Sequence, residues 1–426
     1  MPGALLTAQE VRAEIDPTPG VRIIRTDAQA IQVARAVAAQ LLPEASARDR
    51  ERRLPSAEMD LLSASGLLAI TVPRAYGGAE VSVETLTRVF TILSAADAAI
   101  GQLPQNHFVF VEAIKEDGSP EQKAFFFGEI LAGKRLGNAQ AERGSGSALN
   151  LKTQLRGAPG GGYRLDGTKY YCTGAILAHW IPVSAIDDQG RSVLAYVPRD
   201  AEGVEVKADW SAMGQRTTYS GTSIFTDVAV PADWVIPHWR LFERHNLFHP
   251  LGALLHAAID VGIAQNALED GLELVRERGR PRLGAAVAKA TEDPHVLAAF
   301  GRLAARVHAA DQLLLWAARG LDEAARALGG EILEGGLDEA ETVADAAVRV
   351  AEAKAFAEDV AVQVASDVFA QIGSSAADEG LNLDRHWRNA RTHTIHDANA
   401  WRYHVAGDYH LNGVHPGKPL RRLAES

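Results

Sequence analysis

Cysteine is nearly absent: Cys172 is the single one in 426 residues, so no internal disulfide can form and no zinc site built on two or more thiolates is open to the chain. A reducing, cytoplasmic setting is the expectation. Basic residues are outnumbered, 43 Lys and Arg against 54 Asp and Glu, and the net charge of −11 comes without any basic block. That balance offers no electrostatic footprint for a phosphate backbone or an anionic lipid surface, so neither nucleic acid nor membrane is expected as a partner. At the N-terminus only Ala4-Leu5-Leu6 is apolar, too short for a secretion signal and without a positive flank. No run reads as the roughly 20 apolar residues of a membrane span.

Nucleotide and catalytic fingerprints are missing as well. Residues 128–135 fall one position short of a phosphate-binding P-loop and lack the Ser or Thr that would hold Mg²⁺. Gly144-Ser145-Gly146 has neither a third glycine nor a βαβ frame, so the chain carries no recognisable nicotinamide site. Neither a G-x-S-x-G nucleophile elbow nor an H-E-x-x-H zinc helix occurs.

What is present is a folded-protein composition, 47% hydrophobic and 23% charged, over a length that suits about three domains. Residues 28–42, 56–65, 83–96 and 121–131 repeat apolar side chains every three or four positions, which predicts helices. From about residue 136 the pattern alternates and is broken by glycine at 157–162 and by Asp166-Gly167, the punctuation of β-hairpins; residues 193–197 and 223–230 read as strands. From about residue 251 alanine-rich helical periodicity returns over 254–278, 294–328, 339–372 and 383–409, with Gly329-Gly330 and Gly335-Gly336 dividing two of these stretches. Four long helices, each with a wide apolar stripe, predict a bundle. The expected fold is mainly α with a central β domain: a helical domain at 1–135, a β-barrel at 136–245 and a C-terminal four-helix bundle at 246–426.

Histidine is concentrated near the C-terminus, six of 14 lying in the last 41 residues. His393 and His396, spaced i and i+3, would share one face of a helix with Asp397 adjacent. Three readings stay open: a metal pair, for which no third ligand is evident; a solvated face; and an active-site acid or hydrogen-bond donor, which the neutral-range pKa of imidazole suits.

Five motifs in order carry a resemblance. Val72-Pro73-Arg74-Ala75-Tyr76-Gly77-Gly78 is similar to the V-P-E-E-Y-G-G turn of acyl-CoA dehydrogenases, and residues 163–174 to their G-Y-x-L-N-G-x-K-x-x-I-T-N strand pair. Met213-Gly214-Gln215-Arg216, Asp227-Val228-Ala229-Val230-Pro231 and Arg388-Asn389-Ala390-Arg391 resemble M-G-x-R, D-V-x-V-P and R-D-A-R. Within that superfamily, Ser94-Ala95-Ala96-Asp97, Pro104-Gln105-Asn106-His107-Phe108, the histidine-rich 384–397 and Leu411-Asn412-Gly413 resemble the branch of dibenzothiophene monooxygenases and sulfur-acquisition oxidoreductases.

The resemblance implies a two-component monooxygenase. A separate NAD(P)H-dependent reductase would deliver reduced FMN, and O₂ would react through a flavin C4a-hydroperoxide with a small organosulfur compound. It further implies that Thr173 and Asn138 bond the N5 and C4a side of the flavin, that Trp210 packs on its ring, and that His396 and His393 hold the peroxide. On residue chemistry alone each of these has a plain structural reading: strand end, turn cap, core aromatic. Arg280 stands where the branch places a flavin-phosphate arginine. Ser374-Ser375 replace the glycines that let the adenosine half of FAD approach, which favours FMN over FAD. A homotetramer with flavin sites shared between subunits is also implied, as is no metal. Gln102 and Asn106, where dibenzothiophene members tend to carry His and Tyr, hint at a smaller or more polar substrate. Two alternatives remain: an FAD-dependent acyl-CoA dehydrogenase using Asp397 as its base, and a catalytically silent member of the same fold.

Overall fold

The computed structural model describes residues 20–144, 151–281, 283–332 and 338–416. Ala4-Leu5-Leu6, Ser145-Gly146 and Gly335-Gly336 lie outside the described residues.

The N-terminal third is helical, and four of its helices begin where a polar side chain receives the first free amides. Helix α1 (Asp27–Leu41) starts at Thr26, whose hydroxyl accepts from Gln29 N, and buries Ala30, Val33, Ala34, Val37 and Leu41 along one stripe. Short α2 (Ala45–Glu51) leads to α3 (Ser56–Ser65) and then to α4 (Val83–Ala96), capped by Ser82. Asp97 ends α4 and starts α5 (Ala98–Gln102): Oδ1 accepts from Ala99 N and Ile100 N, while Oδ2 holds buried Arg48 at 2.9 Å. Helices α6 (Gln105–Asp117) and α7 (Pro120–Leu131) follow, the latter opened by a reciprocal Ser119–Gln122 cap. Helices α2, α5 and α6 are additions to the elements the periodicity predicts; they are short or buried on several sides, and one apolar stripe does not mark them.

Seven strands form one sheet in the order β5-β6-β2-β1-β3-β4-β7: β1 (Gln154–Gly157), β2 (Tyr163–Lys169), β3 (Trp180–Asp187), β4 (Ser192–Pro198), β5 (Val204–Val206), β6 (Ser223–Val230) and β7 (Val235–Ile236). The glycine-rich 157–162 is the β1–β2 hairpin as expected. Asp166-Gly167 is not a turn; it lies inside β2, where the pairing with β6 slips between Leu165 and Gly167. That slip is a bulge, the other use of a strand glycine.

The long helices α8 (Phe248–Arg278), α9 (Pro294–Leu328) and α10 (Glu339–Ile372) run up, down and up. Ion pairs Arg306–Asp367 and Arg349–Glu323 show α9 antiparallel to α10. Small residues let the helices close in: a Cβ on Gly262 of α8 would stand 2.6 Å from Ser94 Cβ and 2.8 Å from Thr91 O of α4. Helix α8 is apolar and long enough to count as a membrane span by composition, yet 83% of that window is buried inside the protein, so it is a core helix. Asp322 of α9 caps α4 through Val83 N and Glu84 N, locking the N-terminal helices to the bundle.

The fourth long helix expected over 383–409 is two helices, α11 (Asp384–His393) and α12 (Asn399–Asn412). The chain turns at 394–398, where Asp397 Oδ1 accepts from Ala398 N and the other carboxylate oxygen pairs with Arg402.

Candidate active site

Three non-glycine residues close together in the sheet region hold positive φ: Tyr171 (56°), Gln215 (47°) and Tyr219 (45°). Backbone strain of this kind persists only where surrounding contacts over-determine it, and it gathers at functional sites. Here it surrounds a buried row of hydroxyls. Thr173 Oγ1 lies 2.8 Å from Ser220 Oγ, which lies 2.8 Å from Thr218 Oγ1, which donates to Gln215 O at 2.9 Å.

The row has one possible proton order. A carbonyl only accepts, so Thr218 spends its proton on Gln215; Ser220 must then donate to Thr218, and Thr173 to Ser220. Thr173 is left with lone pairs alone to offer a ligand. The same Gln215 carbonyl receives Trp210 Nε1–H at 2.9 Å, and the Trp210 ring meets Tyr171 edge-on at 6.3 Å. Asn138 donates to Tyr171 O at 3.2 Å and accepts from Gln140. Three of the expected cofactor residues, Thr173, Asn138 and Trp210, are therefore tied to two short stretches of backbone, 171–173 and 215–220.

Support beneath this wall is polar and buried. Lys169 sits against Glu142 at 2.7 Å and bonds Gln140 O; burial opposes ionisation of Glu142, but Lys169 and the amides of Lys152 and Thr153 outweigh it and hold the carboxyl down to about 2. His107 accepts from Leu136 N through Nδ1 and so donates to Leu68 O through Nε2, and burial lowers it to about 4. It is a neutral brace on Leu136, two residues before Asn138.

A second cluster is made of imidazoles. His393, at the end of α11 and buried, places Nδ1 2.7 Å from Asp260 Oδ1 and Nε2 2.9 Å from His256 Nδ1. His256 and Asp260 are one turn apart on α8, on the same face. His396 lies past the end of α11, so the two histidines do not share a helical face; instead the His396 ring stacks on His256, centroids 4.3 Å apart at 28°, which covers the ring while part of the residue stays exposed. Desolvation of the ring first, then the nearby His393 and Lys354 charges, lower it to about 4, so it is neutral at pH 7. Asp397 is turned to other work: burial opposes its charge, but the Arg402 hydrogen bond and charge hold the carboxyl below its usual range.

Helix α11 joins the clusters. Asn389, one turn before His393, accepts Gln215 N–H at 2.7 Å, and Gly214 permits the contact, since a Cβ there would stand 2.0 Å from Arg388 O. The two clusters are thus anchored to α11 one helical turn apart, at Asn389 and at His393. Arg280 and the Ser374-Ser375 turn are exposed at the far end of the bundle. From Asp260 to the end of α8 is ~27 Å of helix, so one chain does not bring them to Thr173 or His396.

His256, Asp260, Ser220, Thr218, Gln215 and Asn389 were not singled out from the sequence. Gln215 and Asn389 lie inside quoted motifs, and His256 with Asp260 is a polar i, i+4 pair in an Ala-Leu run. Among the described residues no group of three or more His, Cys, Asp or Glu is arranged to hold a metal ion.

A helical domain, a central sheet and a helical bundle meeting at such a site define a flavoenzyme architecture. Sequence models of the acyl-CoA dehydrogenase N-terminal, middle and C-terminal domains match residues 26–134, 137–228 and 254–401, and the chain belongs to that family. Within it, the chain is 34% identical over 403 residues to dibenzothiophene monooxygenase of Rhodococcus erythropolis, covering 92% of this chain and 95% of that protein. It is 30% identical over 393 residues to the Pseudomonas putida protein named "Probable FMNH2-dependent monooxygenase SfnC", covering 91% and 96%. The crystal structure of FMN-bound TdsC from Paenibacillus sp. A11-2 superposes with a TM-score of 0.84 at 32% identity, covering 92% of this chain and 98% of that one.

Proposed function

We propose that this chain is a reduced-FMN-dependent monooxygenase that inserts one oxygen atom of O₂ into a small organosulfur compound. The observation that carries the reading is the imidazole cluster of His256, His393 and His396 beside an Asp397 that is tied to Arg402 and to Ala398 N and so is not free to act as a dehydrogenase base. Bound reduced FMN supplies two electrons to O₂ through a flavin C4a-hydroperoxide, so that a sulfide, O₂, anionic reduced FMN and one proton become a sulfoxide, FMN and water. The order of protons along the hydroxyl row fits this cofactor, because reduced flavin carries a hydrogen on N5 and Thr173 offers only an acceptor. Trp210 and Asn138 flank the ring, and His396 donates to the oxygen that leaves; His393, buried with both nitrogens engaged by Asp260 and His256, is not free to hold the peroxide as the resemblance implies.

Gln102 and Asn106 stand at the α5–α6 junction, where the Leu103 carbonyl approaches within 3.3 Å of the Cβ position of Gly174, next to Thr173. Gln102 Oε1 is sealed and without a partner, and we assign this junction as the substrate wall and a polar substrate as its occupant. Arg280, Ser374 and Ser375 serve the FMN phosphate of a neighbouring subunit in a homotetramer. Support for the assembly is the set of exposed apolar side chains on the C-terminal segment, Leu411 at 85% and Trp401 at 64% exposure with Ile395 and Tyr403. With no nicotinamide fingerprint, electrons come from a separate reductase. The divisions at 135/136 and 245/246 are the proposed domain boundaries, and the cytoplasm is the proposed location.

Two substitutions test the reading. His396→Ala should release H₂O₂ in place of oxidised product, a loss of ~100-fold or more for one preorganised donor. Asp397→Asn should cost far less. The reverse order, with Asp397→Asn nearly inactive and His396→Ala mild, would instead support an acyl-CoA dehydrogenase.

A further inference from the structure

Asp260 is fully buried on α8, and its Oδ2 is sealed from solvent without a hydrogen-bond partner. Glu358 of α10 lies near enough for its carboxyl to feel the Asp260 charge, and its Oε2 is sealed and unpartnered too. One buried cation, Lys354, pairs with Glu358. A carboxylate held this deep with half of its acceptors empty is costly unless positive charge reaches it. The group in contact with it is His393, whose other nitrogen meets His256. His256 keeps 9% exposure, its Nε2 has no hydrogen bond among the described residues, and that nitrogen is not among the sealed unpartnered atoms. The line Asp260–His393–His256 therefore runs from a buried, undersatisfied anion to a nitrogen that a small molecule can reach.

We propose that Asp260, His393 and His256 form a proton relay whose mouth is His256 Nε2, resting on the monooxygenase reading above for the reaction it serves. At rest His393 is neutral with its proton on Nδ1 toward Asp260, so its Nε2 accepts and His256 donates through Nδ1–H. A proton reaching His256 Nε2 forms a new N–H bond there; the Nδ1–H bond of His256 breaks, and that proton binds His393 Nε2. Charge comes to rest as an imidazolium on His393 against the Asp260 carboxylate, and His256 stays neutral throughout. Run backwards, the relay delivers the one proton that oxidation of anionic reduced flavin by O₂ consumes. Groups facing it are Lys354 and Glu358 from α10, His396 and Asp397 from the turn after α11, and Arg402 from α12. His396 covers His256 by stacking and takes no part in the line of hydrogen bonds.

The relay has a signature that a structural role does not. In flavin-free protein with ¹⁵N-labelled histidine, NMR across a pH titration should show His393 gaining its second proton as His256 moves its own from Nδ1 to Nε2, both changes at one midpoint. Asp260→Asn, whose amide can donate to His393 Nδ1 and reverse the tautomers, should abolish the joint transition and slow product formation by ~100-fold or more, as tautomer reversal does in hydrolase triads. His256→Gln keeps one hydrogen bond to His393 and should remove both the rate and its solvent isotope effect in D₂O, which answers the question even should Asp260→Asn fail to fold. A His256 that keeps Nδ1–H while His393 protonates alone, or full rates in either variant, would overturn the relay. Because the NMR transition needs neither flavin nor substrate, it stands or falls separately from the monooxygenase reading.

Discussion

Thr173 can only receive a hydrogen bond from whatever faces it, because Ser220 takes its proton and Thr218 takes that of Ser220. Ser220→Ala frees the Thr173 hydroxyl to turn outward and donate, which suits the lone pair on N5 of oxidised flavin. The ratio of reduced to oxidised FMN affinity should fall about tenfold, the worth of one hydrogen bond. Anaerobic titration with reduced FMN and aerobic titration with oxidised FMN measure it, and an unchanged ratio refutes the proton order. Thr173 was legible in the sequence because it closes a strand motif with fixed neighbours. The row behind it was not: Thr217-Thr218-Tyr219-Ser220 reads as an ordinary polar loop, and only the fold turns Ser220 toward Thr173. Asp260 and His256 were hidden differently, on a helix whose alanines and leucines announce core.

Helix α11 is where the two halves of the site depend on each other. Gly214→Ala would drive a methyl group into Arg388 O and Asn389 N, so α11 must retreat and the Asn389–Gln215 hydrogen bond must open. Overpacking of this kind costs roughly 1–3 kcal/mol. A lower denaturant midpoint together with weaker FMN binding is the expected outcome; normal binding with a lowered midpoint would show that the site does not need α11 in place. Sequence periodicity found α11 but ran it on into α12, since neither glycine nor proline marks the break at 394–398. Asp397 holds the turn beyond the break through Ala398 N and Arg402. That turn lifts His396 out of the helical register and over the face of His256, a placement that spacing alone does not reveal.

At the scale of the whole molecule, buried neutral histidines govern the response to acid. Burial lowers His107 to about 4 and His238 to about 3, below the 6.5 of a free imidazole. Between those values the unfolded chain binds more protons than the folded one, so stability is intact above pH 6.5 and falls as pH drops toward 4. Each histidine should remove roughly 2 kcal/mol between pH 6.5 and 5. His238 packs edge-on against Phe242 and Phe248 and leaves Nδ1 sealed without a partner, so His238→Phe should raise Tm and flatten its pH dependence; an unchanged slope would contradict this.

The helix, sheet, helix order of the fold was readable from periodicity and turn residues. The joining of its parts was not, because Asp322 capping α4 and Asn389 holding Gln215 are single contacts between residues far apart in the chain. Those contacts bring an acceptor hydroxyl and three imidazoles to one place, and the central claim is that this place transfers oxygen to sulfur. Incubation with chemically reduced FMN, ¹⁸O₂ and a panel running from dibenzothiophene to small polar sulfides, followed by mass spectrometry, tests it most directly. The account predicts one ¹⁸O atom per molecule of sulfoxide, lost in His396→Ala in favour of H₂O₂. Product oxygen drawn from water, or no sulfur oxidation together with reduction of the bound flavin by an acyl-CoA, would contradict it.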